Sequence, residues 1–204
     1  MTTSSEFPDT GRSGLLPTTP PADAVLPPRS ARAPAPGTSI PCHYSMCFCC
    51  GDEHPSGLYL RLVAGEGLSL SGTFTVTELH QGAPGLAHGG LLTAAFDDAL
   101  GCLNWMVGGR AVTARLETDF RRPVPVGSVL HIEAEVLGVK GRKIFTRAIG
   151  RLDAPNGPIA ITAKAMFIKV PLEHFIDNGR PEDIERARGD SAVRNSLANF
   201  EVNP

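Results

Sequence analysis

From Leu58 to Thr77 the chain alternates between apolar and polar positions. Leu58, Leu60 and Leu62 alternate with Tyr59, Arg61 and Val63; after a turn at Gly65-Glu-Gly67, Leu70, Phe74 and Val76 share a face with Gly72, while Ser69, Ser71, Thr73, Thr75 and Thr77 share the other. A period of two with one apolar side predicts two half-buried strands. The segment Gln81-Gly-Ala-Pro-Gly85 reads as a loop, and at His88 the pattern changes. His88-Gly-Gly-Leu-Leu-Thr-Ala-Ala-Phe-Asp97-Asp98-Ala-Leu-Gly-Cys-Leu-Asn-Trp-Met106 is apolar on nearly every face and predicts a helix over residues 89–106 that the protein must enclose. The Gly108-Gly109 pair stops it.

Four more strands follow, over residues 112–121, 129–137, 143–151 and 159–170. Pro123 and Pro125 end the first; in the second, Ile132, Ala134 and Val136 oppose His131, Glu133 and Glu135; Asp153-Ala-Pro-Asn-Gly157 turns the third into the fourth. The order is that of an α+β domain, a mostly antiparallel sheet around one long central helix. Residues 181–199 have helical composition, with Ile184, Val193 and Leu197 as weak apolar anchors and Gly189 as an interruption.

Composition sets the boundaries. Residues 1–41 are rich in Pro, Ser, Thr and Ala, with Pro20-Pro21, Pro27-Pro28 and Ala33-Pro-Ala-Pro36, and carry no apolar period, so a disordered tail is expected there. The domain is expected over residues 42–171, and a helical or loosely ordered extension over 172–204. Nineteen basic and 21 acidic residues leave a net charge of -2, which speaks against a nucleic-acid surface. No stretch reaches the roughly 20 apolar residues of a membrane span. The first residues lack the apolar core of a secretion signal; Glu6, Asp9 and Asp23 oppose a transit peptide, although Arg12, Arg29 and Arg32 leave one open. A cytoplasmic protein is the expectation.

The helix from His88 carries the chemistry. Its first turn leaves N–H donors free, and Gly89-Gly90 lets a ligand approach the backbone, so an anion or a carbonyl turning negative fits there. Asp97 and Asp98 lie in the apolar middle, where a carboxylate is costly without a purpose. At roughly 100° and 1.5 Å per residue, nine steps from His88 to Asp97 turn the helix about two and a half times and advance it about 13 Å. The two side chains face opposite ways. If both serve one site, that site lies between two copies related by a two-fold axis.

Four of the five cysteines crowd together as Cys42, Cys47, Cys49 and Cys50, with His43 and His54 nearby. Cys47 and Cys50 form one CxxC pair, but no second pair follows and adjacent cysteines suit a tetrahedral metal poorly, so reduced thiols are expected ahead of zinc.

The order of elements, Cys47-Phe-Cys-Cys-Gly51 ahead of Gly57-Leu, Pro84-Gly-Leu-Ala-His88-Gly-Gly, Asp97, Gly108-Gly-Arg-Ala-Val-Thr113, Phe120-Arg-Arg-Pro-Val-Pro125 and Gly141-Arg-Lys143 together resemble the hotdog-fold acyl-coenzyme A thioesterases of the thioesterase superfamily member 4 and phenylacetate-pathway (PaaI-like) group. The resemblance covers about residues 46 to 170. It implies a hotdog fold and hydrolysis of an acyl- or aryl-coenzyme A thioester at a homodimer interface, with tetramers left open. Asp97 would activate water or attack the thioester, His88 and the Gly89 N–H of the partner would polarise the carbonyl, and Thr113 would help place the water. Gly90 at the helix start and Asn104 near its end are substrate-binding candidates; Trp105 and Phe96 read first as core, with Asn104 and Trp105 as weak candidates for acyl selectivity. Some relatives carry Asn where this chain has Gly82, which throws the load onto the backbone donor.

For the phosphates of coenzyme A the first candidates are Arg142 and Lys143, then Arg121, Arg122 and Lys169. No metal or cofactor is required. Asp98 reads as a structural carboxylate. The alternative function is a hotdog module that binds acyl-coenzyme A or a protein without turnover, since a fold does not fix an activity.

Overall fold

The structure is a computed structural model that describes residues 16–199. Six strands form one antiparallel sheet: β1 (Arg61–Ala64), β2 (Ser69–Thr75), β5 (Ala111–Phe120), β6 (Val129–Lys140), β7 (Lys143–Leu152) and β8 (Ile159–Lys169), in the order β1-β2-β6-β7-β8-β5. Helix α1 (Gly89–Cys102) packs against β5, β6, β7 and β8. This is the sheet wrapped around a central helix that the apolar pattern predicts. The tight β6–β7 turn is possible because Gly141 adopts left-handed backbone at φ 57°, and Gly127, at φ 90°, does the same just ahead of β6.

Alternation decides which side faces α1. Phe74, Leu130, Ile132, Ile144 and Ile161 are all buried in one core cluster with Phe96 and Leu100 of the helix. A Cβ built on Gly150 in β7 would lie 2.5 Å from Phe96 Cζ, so the absence of a side chain there is what admits the ring. Phe96 precedes Asp97, and this cradle therefore sets the seat of the turn that carries the acid.

Several expectations change. The helix predicted over residues 89–106 is two pieces, α1 and α2 (Asn104–Val107), because Leu103 intervenes; Gly108, at φ 71°, caps the second. The first strand is shorter than its alternation: Leu58 and Leu60 are buried as predicted, but Tyr59 has φ 51° and the backbone at Leu58 and Leu60 donates to Phe48 and Cys49 rather than to a strand. The loop at 81–85 is a small hairpin of β3 (Gln81–Ala83) and β4 (Leu86–Ala87), preceded by a 3-10 turn at Glu78–His80.

The expected disorder of residues 1–41 is corrected over residues 16–41; residues 1–15 lie outside the described residues. Val25 exchanges two backbone bonds with Val139 on β6, Ile40 donates to Leu62, and Gly37 and Thr38 bond the backbone of Ala64. Composition weighs apolar burial, whereas this segment is held by main-chain bonds to a sheet that other residues have built. Along β1 it also covers an edge strand.

The C-terminal segment takes the helical one of its two expected forms. It forms α3 (Glu173–Asn178), α4 (Pro181–Gly189) and α5 (Ser191–Asn199), with the break near Gly189 as predicted. Asp190 between them accepts from the Ser45 N–H at 3.0 Å, which ties this segment to the cysteine-rich loop. The side chain of Leu197 lies outside the described residues. No described helix is long and apolar enough to cross a membrane.

Candidate active site

Asp97 projects from α1 toward the start of β5. The Thr113 hydroxyl donates to its Oδ1 at 2.9 Å. Thr113 meets it because β5 carries a bulge between Thr113 and Arg115, where the register to β8 slips; such an extra residue re-aims its neighbours. Burial raises the pKa of Asp97, and the Thr113 bond opposes that rise. A half-buried carboxylate with one oriented donor and raised basicity can accept a proton from water or attack a carbonyl.

Asp97 and Thr113 line a cavity of about 480 Å³ with Asn104, Trp105 and Arg110. Asn104 is buried, and its Oδ1 has no hydrogen-bond partner among the described residues. Leu172, Phe175 and Val193 from the C-terminal segment close one side. Sequence reasoning missed that wall, since its apolar residues are too sparse to reveal what they cover. It also passed over Arg110, whose pKa burial lowers; its place three residues ahead of Thr113 was the available signal.

The other end of α1 is built separately. His88 caps the helix: its Nδ1 accepts the Gly90 N–H at 2.9 Å, and its carbonyl accepts from Leu91 and Leu92. With Nδ1 an acceptor, the proton of a neutral ring sits on Nε2, which becomes a donor. The N–H of His88 donates to the His80 carbonyl at 2.7 Å, and buried His80 packs on Phe74, so a residue unremarked in the sequence anchors the helix start. Gly90, expected to bind substrate, has its N–H occupied by His88; its lack of a side chain leaves room for the ring, since a Cβ would meet Cε1 and Nδ1 at 3.0 Å. Gly89 keeps its N–H without an acceptor among the described residues. A Cβ at Gly82 would lie 2.7 Å from His88 Cα, so a side chain such as Asn would displace the His88 backbone.

Gly89 lines a second cavity, of about 280 Å³, with Leu92, Phe120, Arg121 and Arg122. The two cavities share no lining residue. Within one chain the acid and the helix start remain apart, as the helical geometry requires.

Arg142 and Lys143 are exposed at the β6–β7 turn and line neither cavity. Their end of the sheet is nevertheless the Asp97 end: the Arg142 carbonyl accepts the Lys169 N–H at 2.8 Å, and Lys169 pairs with Ala111, which lines the Asp97 cavity. Arg121 and Arg122 belong to the Gly89 end.

Asp98 is turned toward the cysteine-rich loop, where its Oδ1 lies 3.9 Å from Cys47 Sγ, and burial pushes its pKa up to about 7. His43, Cys47 and Cys50 gather around it, their ligand atoms all within 4.8 Å of one another and of Asp98. Spacing in sequence weighed only neighbouring residues, and it is the fold that brings Asp98 of the helix to this loop.

Comparison with known proteins agrees with this architecture. Residues 84–155 match the family model described as thioesterase superfamily. The chain is 45% identical over 93 residues to acyl-coenzyme A thioesterase THEM4 of Bos taurus, covering 46% of this chain and 38% of that protein. It is 33% identical over 90 residues to the Xenopus laevis protein of the same name, covering 44% of this chain and 40% of that one. The match thus spans at most 40% of the length of either relative. Among solved structures, a thioesterase superfamily protein is 30% identical with a TM-score of 0.57, covering 61% of both chains. The E. coli PaaI protein from the phenylacetic acid degradation operon, 20% identical with a TM-score of 0.51 over 56% of this chain and 81% of that one, shares the fold.

Proposed function

From a hotdog fold with a thioesterase superfamily match over residues 84–155, we propose that the protein hydrolyses acyl- or aryl-coenzyme A thioesters at a site shared by two copies of the chain. The bond from Thr113 to Asp97 carries this reading. An acid that served only the fold would gain most from several donors, whereas this one has a single oriented hydroxyl and faces a cavity.

Strand β5 supports the shared site. It is the edge of the sheet, with Thr113 beside Asp97 near one end and Phe120 beside Gly89 at the other. An antiparallel pairing of β5 with its copy, about a two-fold axis near Leu116 and Glu117, sets Thr113 of each chain opposite Phe120 of its partner. That arrangement brings Asp97 toward the partner's helix start. The thioester carbonyl then receives hydrogen bonds from the Gly89 N–H and His88 Nε2–H, which stabilise the oxyanion as it forms. Asp97 either takes the proton of a water that adds to the carbonyl, or adds to the carbonyl itself; in both cases the C–S bond breaks and the thiolate of coenzyme A leaves and takes up a proton, and in the second a water then hydrolyses the acyl-Asp97 anhydride to the free acid and restores the carboxylate. Asn104 and Trp105 bound the acyl group, and Arg142 and Lys143 meet the phosphates of the nucleotide.

A thiol-release assay over a panel of acyl- and aryl-coenzyme A thioesters, with wild type and Asp97→Asn, tests the reading. The variant should keep its fold and oligomeric state and lose at least about 100-fold in rate, the scale of a lost general base. Undiminished turnover by Asp97→Asn overturns this role for Asp97, and binding of acyl-coenzyme A without turnover by wild type favours the binding module.

A further inference from the structure

The hydrolysis proposed above uses none of the side chains of His43, Cys47, Cys50 and Asp98, which gather into one group. We infer that these four side chains hold one zinc ion, in a closed tetrahedral site that ties the loop before β1 to helix α1.

The donor set comes first. Two thiols, an imidazole and a carboxylate match a borderline-soft divalent ion, and four protein ligands leave no open position, the mark of a structural zinc site. Geometry agrees. Zinc with arms of about 2.0–2.3 Å needs ligand atoms roughly 3.3–3.8 Å apart. Cys50 Sγ and His43 Nδ1 are 3.3 Å apart, and Cys47 Sγ and Asp98 Oδ1 are 3.9 Å apart. All four ligand atoms lie within 4.8 Å of one another, so small side-chain rotations complete the site.

Asp98 supplies an independent reason. Its Oδ2 is shielded from solvent and has no hydrogen-bond partner among the described residues. A buried carboxylate oxygen left without a donor is costly, and a cation held by this carboxylate, through Oδ2 once the side chain turns, meets that need where a thiol does so weakly. The loop is also shaped for the task. Cys47 N–H donates to the Tyr44 carbonyl and Gly51 N–H to that of Cys47, both at 2.9 Å, which folds the chain into a tight knuckle between the two cysteines. A Cβ at Gly51 would lie 2.3 Å from the Ser45 carbonyl and 2.5 Å from that of Cys47, so only glycine permits the turn.

The neighbouring thiols act as internal controls. Cys49 points away, with its Sγ 3.4 Å from the Ala94 carbonyl. Cys42 Sγ is 3.6 Å from Cys50 Sγ and directs its proton to the Tyr44 carbonyl at 2.9 Å, beside the four ligands rather than among them. All five cysteines are free. An ion here fixes the helical turn that carries Asp97, since Asp98 is the next residue and both line one cavity with His43. It acts on position and not on the thioester, and the test below is independent of hydrolysis.

The full chain, purified with its thiols reduced and stripped with a chelator, is titrated with cobalt(II) and then with zinc(II). One cobalt per chain should bind, with a sulfur-to-cobalt charge-transfer band and the intense visible bands of a tetrahedral ion, and zinc should displace it. Cys47→Ser and Asp98→Asn should weaken binding by more than the roughly 10–100-fold that follows loss of a group merely supporting a ligand, while Cys49→Ser retains both affinity and spectrum. Should a ligand variant fail to fold, wild type and Cys49→Ser alone decide: zinc should raise the melting temperature of both. No stoichiometric metal on the reduced chain, a cobalt spectrum without the sulfur band, or equal loss by Cys49→Ser overturns the site. Unchanged binding by Asp98→Asn overturns it too, as does a Cys42–Cys50 disulfide whose reduction restores no metal binding.

Discussion

The Thr113 hydroxyl holds one oxygen of Asp97 at 2.9 Å, joining the bulge of β5 to the middle of α1. A hydrogen bond to a charged group contributes about 1.5–3 kcal/mol, so Thr113→Val should lower kcat about ten- to hundredfold with little change in KM. Thr113→Ser, which keeps the hydroxyl, should recover most of the rate. Steady-state kinetics of the three proteins check this, and a Ser variant as slow as Val would show that the methyl packing, rather than the bond, matters.

Because the Asp97 and Gly89 cavities are separate within a chain, two inactive variants should rescue each other. Asp97→Asn and His88→Ala subunits, unfolded together and reassembled at equal amounts, should recover about a quarter of wild-type activity: half of the dimers are mixed, and each mixed dimer has one intact site of two. Activity no higher than that of either variant alone would place both residues in one chain's site.

His80 gives a pH dependence of stability. It is only 6% exposed, its Nδ1 accepts the Thr77 N–H at 2.9 Å, and burial lowers its pKa from the ordinary 6.5. Below that ordinary value the unfolded chain binds a proton that the native ring resists, so this contribution is present above pH 6.5 and is lost as pH falls toward the lowered native value. His80→Asn should be less stable at pH 8 yet show a flatter decline into acid. Denaturant midpoints at pH 8, 6.5 and about 5 test it; parallel declines for the two proteins would assign the acid sensitivity elsewhere.

At Gly150 the prediction is steric. A methyl group there would sit 2.5 Å from Phe96 Cζ, inside a core with no slack, so Gly150→Ala should cost about 1–3 kcal/mol. Adding Phe96→Leu should return part of that loss, because the two changes share one space. Thermal melts of the single and double variants measure the coupling, and simple additivity would rule out the contact as the cause.

What the sequence determined by itself is whatever repeats over short distances or follows from the length of a helix. Alternation places Leu70, Phe74, Ile132 and Val136 in the core, the apolar run from His88 marks the central helix, and nine helical steps separate His88 from Asp97 whatever surrounds them. Asp97 stood out as a carboxylate in an apolar helix and Thr113 was named through resemblance, and the structure brings them into contact. Only the tertiary structure decided what depends on the path of the chain. The Pro-rich residues beyond Leu16 lie against β1 and β6 through backbone groups that carry no side-chain pattern. The Gly90 donor is spent on His88, the C-terminal helices wall the Asp97 cavity, and Asp98 faces three residues about 50 positions earlier. Local periodicity reports which side of an element is buried. It holds no record of which distant group lies across from it, because that is set by register, bulges and the closing of loops.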